Sequence, residues 1–204
     1  MSIDPKYLAK FEEESFYHVC NRTNGSHKLC RNNDNYRFFI GQFEEYLCDV
    51  LEIYSYSILP SHFHYIVRIK QLGDLEYYMS QCNKRFTNVD KIIANQFRSF
   101  FTGYTMAFNK YHGRQGALFN HRFRRVKIES QEHLLNSIMY VHSNPAHHGI
   151  TTNFSKYEYS SYPIILSDSP TRIRRREVLA LFGGKEEFID QHNLYKIKER
   201  DLLF

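Results

Sequence analysis

No stretch of this chain approaches the roughly 20 consecutive apolar residues that a membrane-spanning helix needs. The polar, acidic start around Glu12, Glu13 and Glu14 is unlike a signal peptide. A soluble, cytosolic protein with no membrane partner is therefore expected. Cys20, Cys30, Cys48 and Cys82 include no Cys-x-x-Cys pair, which removes a zinc ribbon or a thioredoxin-like site and leaves reduced, mostly buried thiols as the expectation. Tryptophan is absent, yet 16 Tyr and 17 Phe bring the aromatic content to 16%, enough to build a folded core rather than a disordered chain. No internal repeat or low-complexity linker divides the sequence. At 204 residues and 24.5 kDa it is expected to form one domain over residues 1–165 with an appendage over 166–204.

Acidic residues are also scarce where basic ones are dense. Between Tyr77 and Ile128 there are ten Lys and Arg against the single acid Asp90. The tightest cluster is Arg122, Arg124, Arg125 and Lys127, and a second follows at Arg172, Arg174, Arg175 and Arg176. The net charge is only +5, but clusters of this kind suit a polyanion, because neutralising phosphates releases condensed counterions.

Hydrophobic periodicity supplies the organisation. Phe16 to Arg22 reads as a strand, followed by a Thr-Asn-Gly-Ser turn, a helix from about Asp34 to Leu51 and a second strand from Ile53 to Leu59. Pro60 and Ser61 then turn the chain into a third strand. Asp74 can cap a short helix to about Cys82. The stripe Phe97, Phe100, Phe101, Tyr104, Phe108 and Tyr111 predicts a longer, core-facing helix that ends at Gly113 and Gly116. A further strand is expected over residues 117–128, and two short helices, Thr171 to Phe182 and Lys185 to His192, after residue 166. These elements predict an α+β fold of the ferredoxin-like kind, an antiparallel sheet of four or five strands with helices packed on one face.

Two constellations carry chemistry. From Ser61 to Lys70 the residues alternate, so Phe63, Tyr65, Val67 and Ile69 face a core while His62, His64, Arg68 and Lys70 share a polar, cationic face. Two imidazoles on one strand face can hold a divalent metal. Residues 131 to 143 form an amphipathic helix with Leu134, Leu135, Ile138 and Val141 on its apolar stripe, and Pro145 predicts its end at Asn144. Tyr140 and Asn144 lie four residues apart, away from that stripe and on one helical face. His112, His121 and His133 are expected at the surface or in a polar core, and His142, His147 and His148 off the metal.

His62-Phe63-His64 and Tyr140-Val-His-Ser-Asn144-Pro145 together resemble the HUH single-tyrosine nucleases, and most closely the REP-associated tyrosine transposases. Further matches are Tyr17-His18-Val19-Cys20-Asn21-Arg22, Gly116-Ala117-Leu118-Phe119 running into Arg122-Phe123-Arg124, and Tyr157 followed by Ser160-Ser161-Tyr162. The likeness covers roughly residues 15 to 165. Ser61 stands where the family often has Asn, and Tyr159 where it often has Trp.

The resemblance implies the HUH nuclease fold, with the tyrosine helix near the histidine strand. It also implies a DNA-cleaving and strand-joining activity through a 5′-phosphotyrosine with a free 3′-hydroxyl. Tyr140 would be the nucleophile, and His62, His64 and Asn144 the ligands of Mg2+ or Mn2+, although zinc is compatible with the same nitrogens. Arg22, Arg122, Arg124, Arg125, Lys127, Arg172, Arg174, Arg175 and Arg176 would contact the substrate, single-stranded or hairpin DNA. A monomer carrying its tyrosine in cis is expected. A sheet-based nucleic-acid-binding module with structural histidines is the alternative.

Overall fold

The structure is a computed structural model that describes residues 7–120 and 122–195, so the expectation for His121 and residues 196–204 of the appendage lie outside it. Four strands, β1 (Phe16–Arg22), β2 (Leu51–Ile58), β3 (His62–Ile69) and β4 (Arg124–Ile128), form one antiparallel sheet in the order β2-β3-β1-β4. Helix α1 (Asn33–Leu47) connects β1 to β2, while α2 (Leu72–Gln81) and α3 (Val89–Tyr111) connect β3 to β4. This is the α+β, ferredoxin-like arrangement, in which each crossover returns a helix to the sheet.

Helices α1 and α3 form because their aromatic residues recur at helical spacing and their starts are capped. Asn32 Oδ1 accepts from Asn35 N at 3.0 Å, and Asn88 Oδ1 from Lys91 N at 2.9 Å. Their shared apolar face covers the side of the sheet that carries Tyr17, Val19, Phe63, Tyr65 and Val67. Phe43 lies flat on Tyr65, with ring centroids 3.6 Å apart and planes within 2°. Phe39 meets both Phe63 and Phe100, and Phe97 stacks on Phe11. The predicted aromatic stripe from Phe97 to Phe108 belongs to this core, whereas Tyr111 at the end of α3 is exposed.

The other side of the sheet differs from the expectation of helices on one face only. Helix α4 (Gln131–His147), capped by Ser130 Oγ accepting from His133 N, crosses it over β2 and β3. Against α4 pack the 3-10 turn at Phe154–Lys156 and α7 (Lys185–Leu194), while α5 (Ser161–Ile165) lies on β2 and α6 (Arg175–Phe182) packs against α5 and α7. Gly183, at φ 90°, takes the left-handed conformation that ends α6 and turns the chain into α7. Sandwiched in this way, α4 is buried on nearly all sides from Ser137 to Pro145.

Several boundaries depart from the sequence expectation. Helix α4 continues past Asn144 for another turn despite Pro145, because the burial of Asn144 and Pro145 outweighs the missing amide, and His148 N still donates to Asn144 O at 3.0 Å. The first helix stops at Leu47, since Val50 and Leu51 belong to the core edge that begins β2. Residues 117–120, 122 and 123 are not part of the last strand. They run as a loop tied by a Thr23–Phe119 bridge and by Asn24 Nδ2 donating to Phe119 O at 2.8 Å. Asp74 lies inside the first turn of α2, whose N-cap is Gln71. The side of β3 bearing His62 and His64 is covered by α4 rather than solvated.

Phe43→Ala removes the ring stacked on Tyr65 in a fully buried site and is expected to destabilise the protein by about 3–5 kcal/mol. Urea denaturation checks this, and a loss below about 1 kcal/mol would show that the α1–sheet packing is not as drawn.

Candidate active site

Register places the site residues. Across β1 and β3, Arg22 is opposite His62 and Cys20 opposite His64, with His18 two residues further along the same face. Ser57 of β2 flanks His64 from the other side, after a bulge between Ile53 and Ser55 that puts Ser55 and Ser57 on this face. The floor of the site is therefore polar yet buried: His18, His62 and His64 have relative exposures of 5%, 7% and 0%. Burial penalises the charged imidazolium and lowers all three pKa values, that of His62 to about 4 and that of His18 to about 3. All three rings are neutral at physiological pH, the form in which an imidazole nitrogen can ligate a metal.

Helix α4 supplies the roof. Tyr140, 3% exposed, sets its ring edge-on to both His18 and His64, with centroids 5.7 and 5.6 Å away. One turn on, Asn144 Oδ1 lies 3.4 Å from His62 Nε2. The predicted nucleophile and all three predicted ligands thus converge within one chain.

A buried relay behind α4 holds its orientation. His192 Nδ1 donates to Phe188 O at 2.7 Å, so its Nε2 accepts from His142 Nδ1–H at 2.8 Å. His142 Nε2 then accepts from the Ser161 hydroxyl at 2.7 Å, and Ser161 Oγ accepts from Tyr56 N at 2.8 Å. The chain runs from α7 through α4 to β2. The Ser-Ser-Tyr motif accordingly has a structural task, and Tyr159 stacks on Tyr36 with centroids 3.8 Å apart.

The donor set fits a divalent cation. Two ligands of one ion about 2.1 Å away lie roughly 3.0–3.4 Å apart, which matches the separation of His62 Nε2 and Asn144 Oδ1. Asn144 is fully buried and its Nδ2 has no hydrogen-bond partner among the described residues, a cost of about 1–3 kcal/mol that is intelligible if the amide is retained for its oxygen. A second set overlaps it. His18, Cys20 and His64 bring donor atoms within 4.8 Å of one another, a nitrogen and sulfur combination that could hold a softer ion such as zinc. Sequence reasoning missed His18 and Cys20 as candidate ligands: their same-face spacing was visible, but their pairing opposite His64 is a tertiary fact that local pattern does not carry. It also set His148 aside. This exposed residue lies beside His62, with ring centroids 4.7 Å apart, at the open end of the site.

The structure sorts the basic residues into two groups. Arg22 and Arg124 lie on the site face, and Arg122 is exposed just before β4. Arg172 and Arg176 are exposed on the appendage. Arg124 also lies over the Tyr7 ring, 5.0 Å from its centroid, and further basic residues are engaged away from the site face. Arg125 Nε donates to Ala9 O at 2.6 Å and its guanidinium lies over Phe11 and Phe123, while Lys127 pairs with Glu12 at 2.5 Å. Arg174 pairs with Glu52 and Glu177, and Arg175 donates to the carbonyls of Ile164 and Ser169.

No protein-family model matches this sequence, and no curated protein is significantly similar to it. The fold does have a solved counterpart. The structure of the REP-associated tyrosine transposase bound to a REP hairpin superposes with a TM-score of 0.58, covering 83% of this chain and 89% of that chain at 17% sequence identity. The chain shares the fold of that transposase over most of its length, as the sequence resemblance implied. Among the described residues, no helix is long and apolar enough to cross a membrane.

The buried neutral histidines make stability pH-dependent. His18 and His192 have folded pKa values of about 3 and about 4, below the ordinary 6.5, so the unfolded chain takes up protons first as pH falls. Their contribution is complete above pH 6.5 and is lost as the pH drops towards 4. Between pH 7.5 and 5 the unfolding free energy should fall by on the order of 2 kcal/mol for each. Urea unfolding at pH 7.5, 6 and 5 measures this, and a flat profile would show these rings to be solvated.

Proposed function

We propose that the protein is a metal-dependent single-strand DNA transposase and endonuclease that cleaves and rejoins repeat-associated hairpin DNA through a 5′-phosphotyrosine intermediate. The observation that carries this is the convergence of Tyr140 with His62, His64 and Asn144 inside one chain, on the fold of a transposase solved with a REP hairpin. As a nucleophile, Tyr140 Oη bonds to the phosphorus while the bond from phosphorus to the 3′ oxygen breaks. The phenol gives up its proton and the departing 3′ oxygen gains one, leaving a free 3′-hydroxyl. One phosphoester replaces another, so rejoining is the reverse attack by a 3′-hydroxyl and needs no nucleotide cofactor.

His62, His64 and Asn144 would hold Mg2+ or Mn2+, which supplies charge neutralisation at the phosphate. Tyr140 is kept in place by α4, so little orientational freedom is lost on attack. Arg22 and Arg124 flank the histidines on the same face and are the best placed to hold the strand. Arg122, Arg172 and Arg176, all exposed, would position phosphates further out, without reading bases. Arg125, Lys127, Arg174 and Arg175 would add long-range charge while serving their partners in the chain. Since tyrosine and histidines meet in one chain, a monomer suffices for catalysis.

The test is incubation with labelled single-stranded hairpin DNA from the repeats flanking the gene, in Mn2+ or Mg2+, followed by a denaturing gel. Wild type should form a covalent protein–DNA adduct. Tyr140→Phe should form none while binding the hairpin within about twofold of wild type. Hairpin binding with no adduct in either metal would instead favour a non-catalytic nucleic-acid-binding module.

A further inference from the structure

His62 and His64 are each engaged through Nδ1. His64 Nδ1 lies 2.9 Å from His18 Nε2, and His62 Nδ1 lies 3.1 Å from Ser61 Oγ. On His62 the other nitrogen, Nε2, faces Asn144 Oδ1. A neutral imidazole has one N–H and one lone pair, so the proton on one nitrogen decides which nitrogen can bind a metal. Of the two tautomers open to the His18–His64 pair, one makes His64 Nδ1 the donor and frees the Nε2 lone pair. The other puts the His64 proton on Nε2 and blocks that nitrogen as a ligand.

We propose that His18 is a positioning residue for the metal site: its Nε2 accepts a hydrogen bond from His64 Nδ1–H, which fixes the ring and tautomer that present His64 Nε2 beside His62 Nε2 and Asn144 Oδ1. The inference rests on the metal-ligand assignment of the proposed function and extends it one shell outward, where such partners orient ligands and raise their basicity. Ser61 performs the same task for His62, by accepting from its Nδ1–H. His18 needs its own proton on Nδ1 to accept at Nε2. Both His18 and His64 are buried between the sheet and α4, where water cannot substitute for the missing partner.

The geometry also decides between the two overlapping donor sets. If ligation through His18, Cys20 and His64 used the two nitrogens that face each other, His18 Nε2 and His64 Nδ1, it would move the His64 proton to Nε2. The neutral ring cannot serve both sites at once. His18 held as acceptor therefore keeps His64 for the site shared with His62 and Asn144.

Two measurements test this. Long-range proton–nitrogen correlation spectra of metal-free protein labelled with 15N-histidine report each tautomer, assigned with single-histidine variants. His64, His62 and His18 should all be Nδ1–H forms, and His64 found as the Nε2–H form overturns the proposal. Mn2+ titration followed by electron paramagnetic resonance then compares two substitutions. His18→Gln places an oxygen acceptor near the lost Nε2 and should bind Mn2+ within about threefold of wild type, whereas His18→Leu keeps bulk without an acceptor and should bind 10–100-fold more weakly. Equal affinities, or tighter binding by the Leu variant, would make His18 a packing residue and overturn the proposal. A thiolate charge-transfer band on adding Co2+, absent in Cys20→Ser, would assign the metal to the His18 side and also overturn it. Wild type that binds no Mn2+ would remove the metal assignment itself, and the metal-free spectra would still decide the tautomer.

Discussion

The site depends on α4 being clamped between the histidine-bearing side of the sheet and the C-terminal helices. Its residues from Ser137 to Pro145 are buried because the sheet covers one side while Phe154–Lys156, α7 and, through His142, α5 pack against the rest. That double burial carries the helix through Pro145 and keeps Asn144 helical, where a residue before proline is ordinarily pushed towards extended geometry. It also sets the distance from Tyr140 to His18 and His64, and from Asn144 to His62. Were α4 one residue out of phase, tyrosine and amide would rotate by about 100° away from the histidines.

Excluding water has a second effect. With solvent absent, each polar atom beneath α4 needs a partner within the protein, and each imidazole is held neutral by its surroundings. Most of these demands are met by direct hydrogen bonds, as in the relay from Phe188 through His192 and His142 to Ser161 and Tyr56. The exceptions cluster at the site: Asn144 Nδ2 and the hydroxyls of Ser55 and Ser57 have no hydrogen-bond partner among the described residues. Neutral nitrogens and an amide oxygen offer lone pairs of the kind that ligate a cation. The appendage, which looks peripheral in the chain, helps to hold α4 in place through the contacts of His192 and Phe188 with His142.

Charge is divided in the same physical terms. Arg125 and Lys127 point to the side of the sheet opposite the histidines and tie the N-terminal segment to β4, while Arg174 and Arg175 tie α6 to β2 and α5. Arg22 and Arg124 emerge on the histidine side because strand alternation puts them in phase with His62 and Cys20. A basic cluster in sequence therefore becomes two populations in space, and only one of them faces the site.

Much of this was legible in the chain alone. Period-two alternation assigned the faces of β3, the helical spacing of Phe97, Phe100 and Tyr104 identified the core helix, and the four-residue interval from Tyr140 to Asn144 put both on one helical face, since each is a local geometric relation. The order of the motifs pointed to the fold that the transposase structure shares. Other features depend on which segments meet, and local pattern carries no such information. The burial of the histidine face, the helix laid across it, the continuation through Pro145, the shortening of the last strand to Arg124–Ile128 and the meeting of His18, Cys20 and His64 are all of this kind. Sequence determined which side chains share a face; tertiary packing decided which faces are dry, because burial and hydrogen-bond partners are properties of the assembled layers.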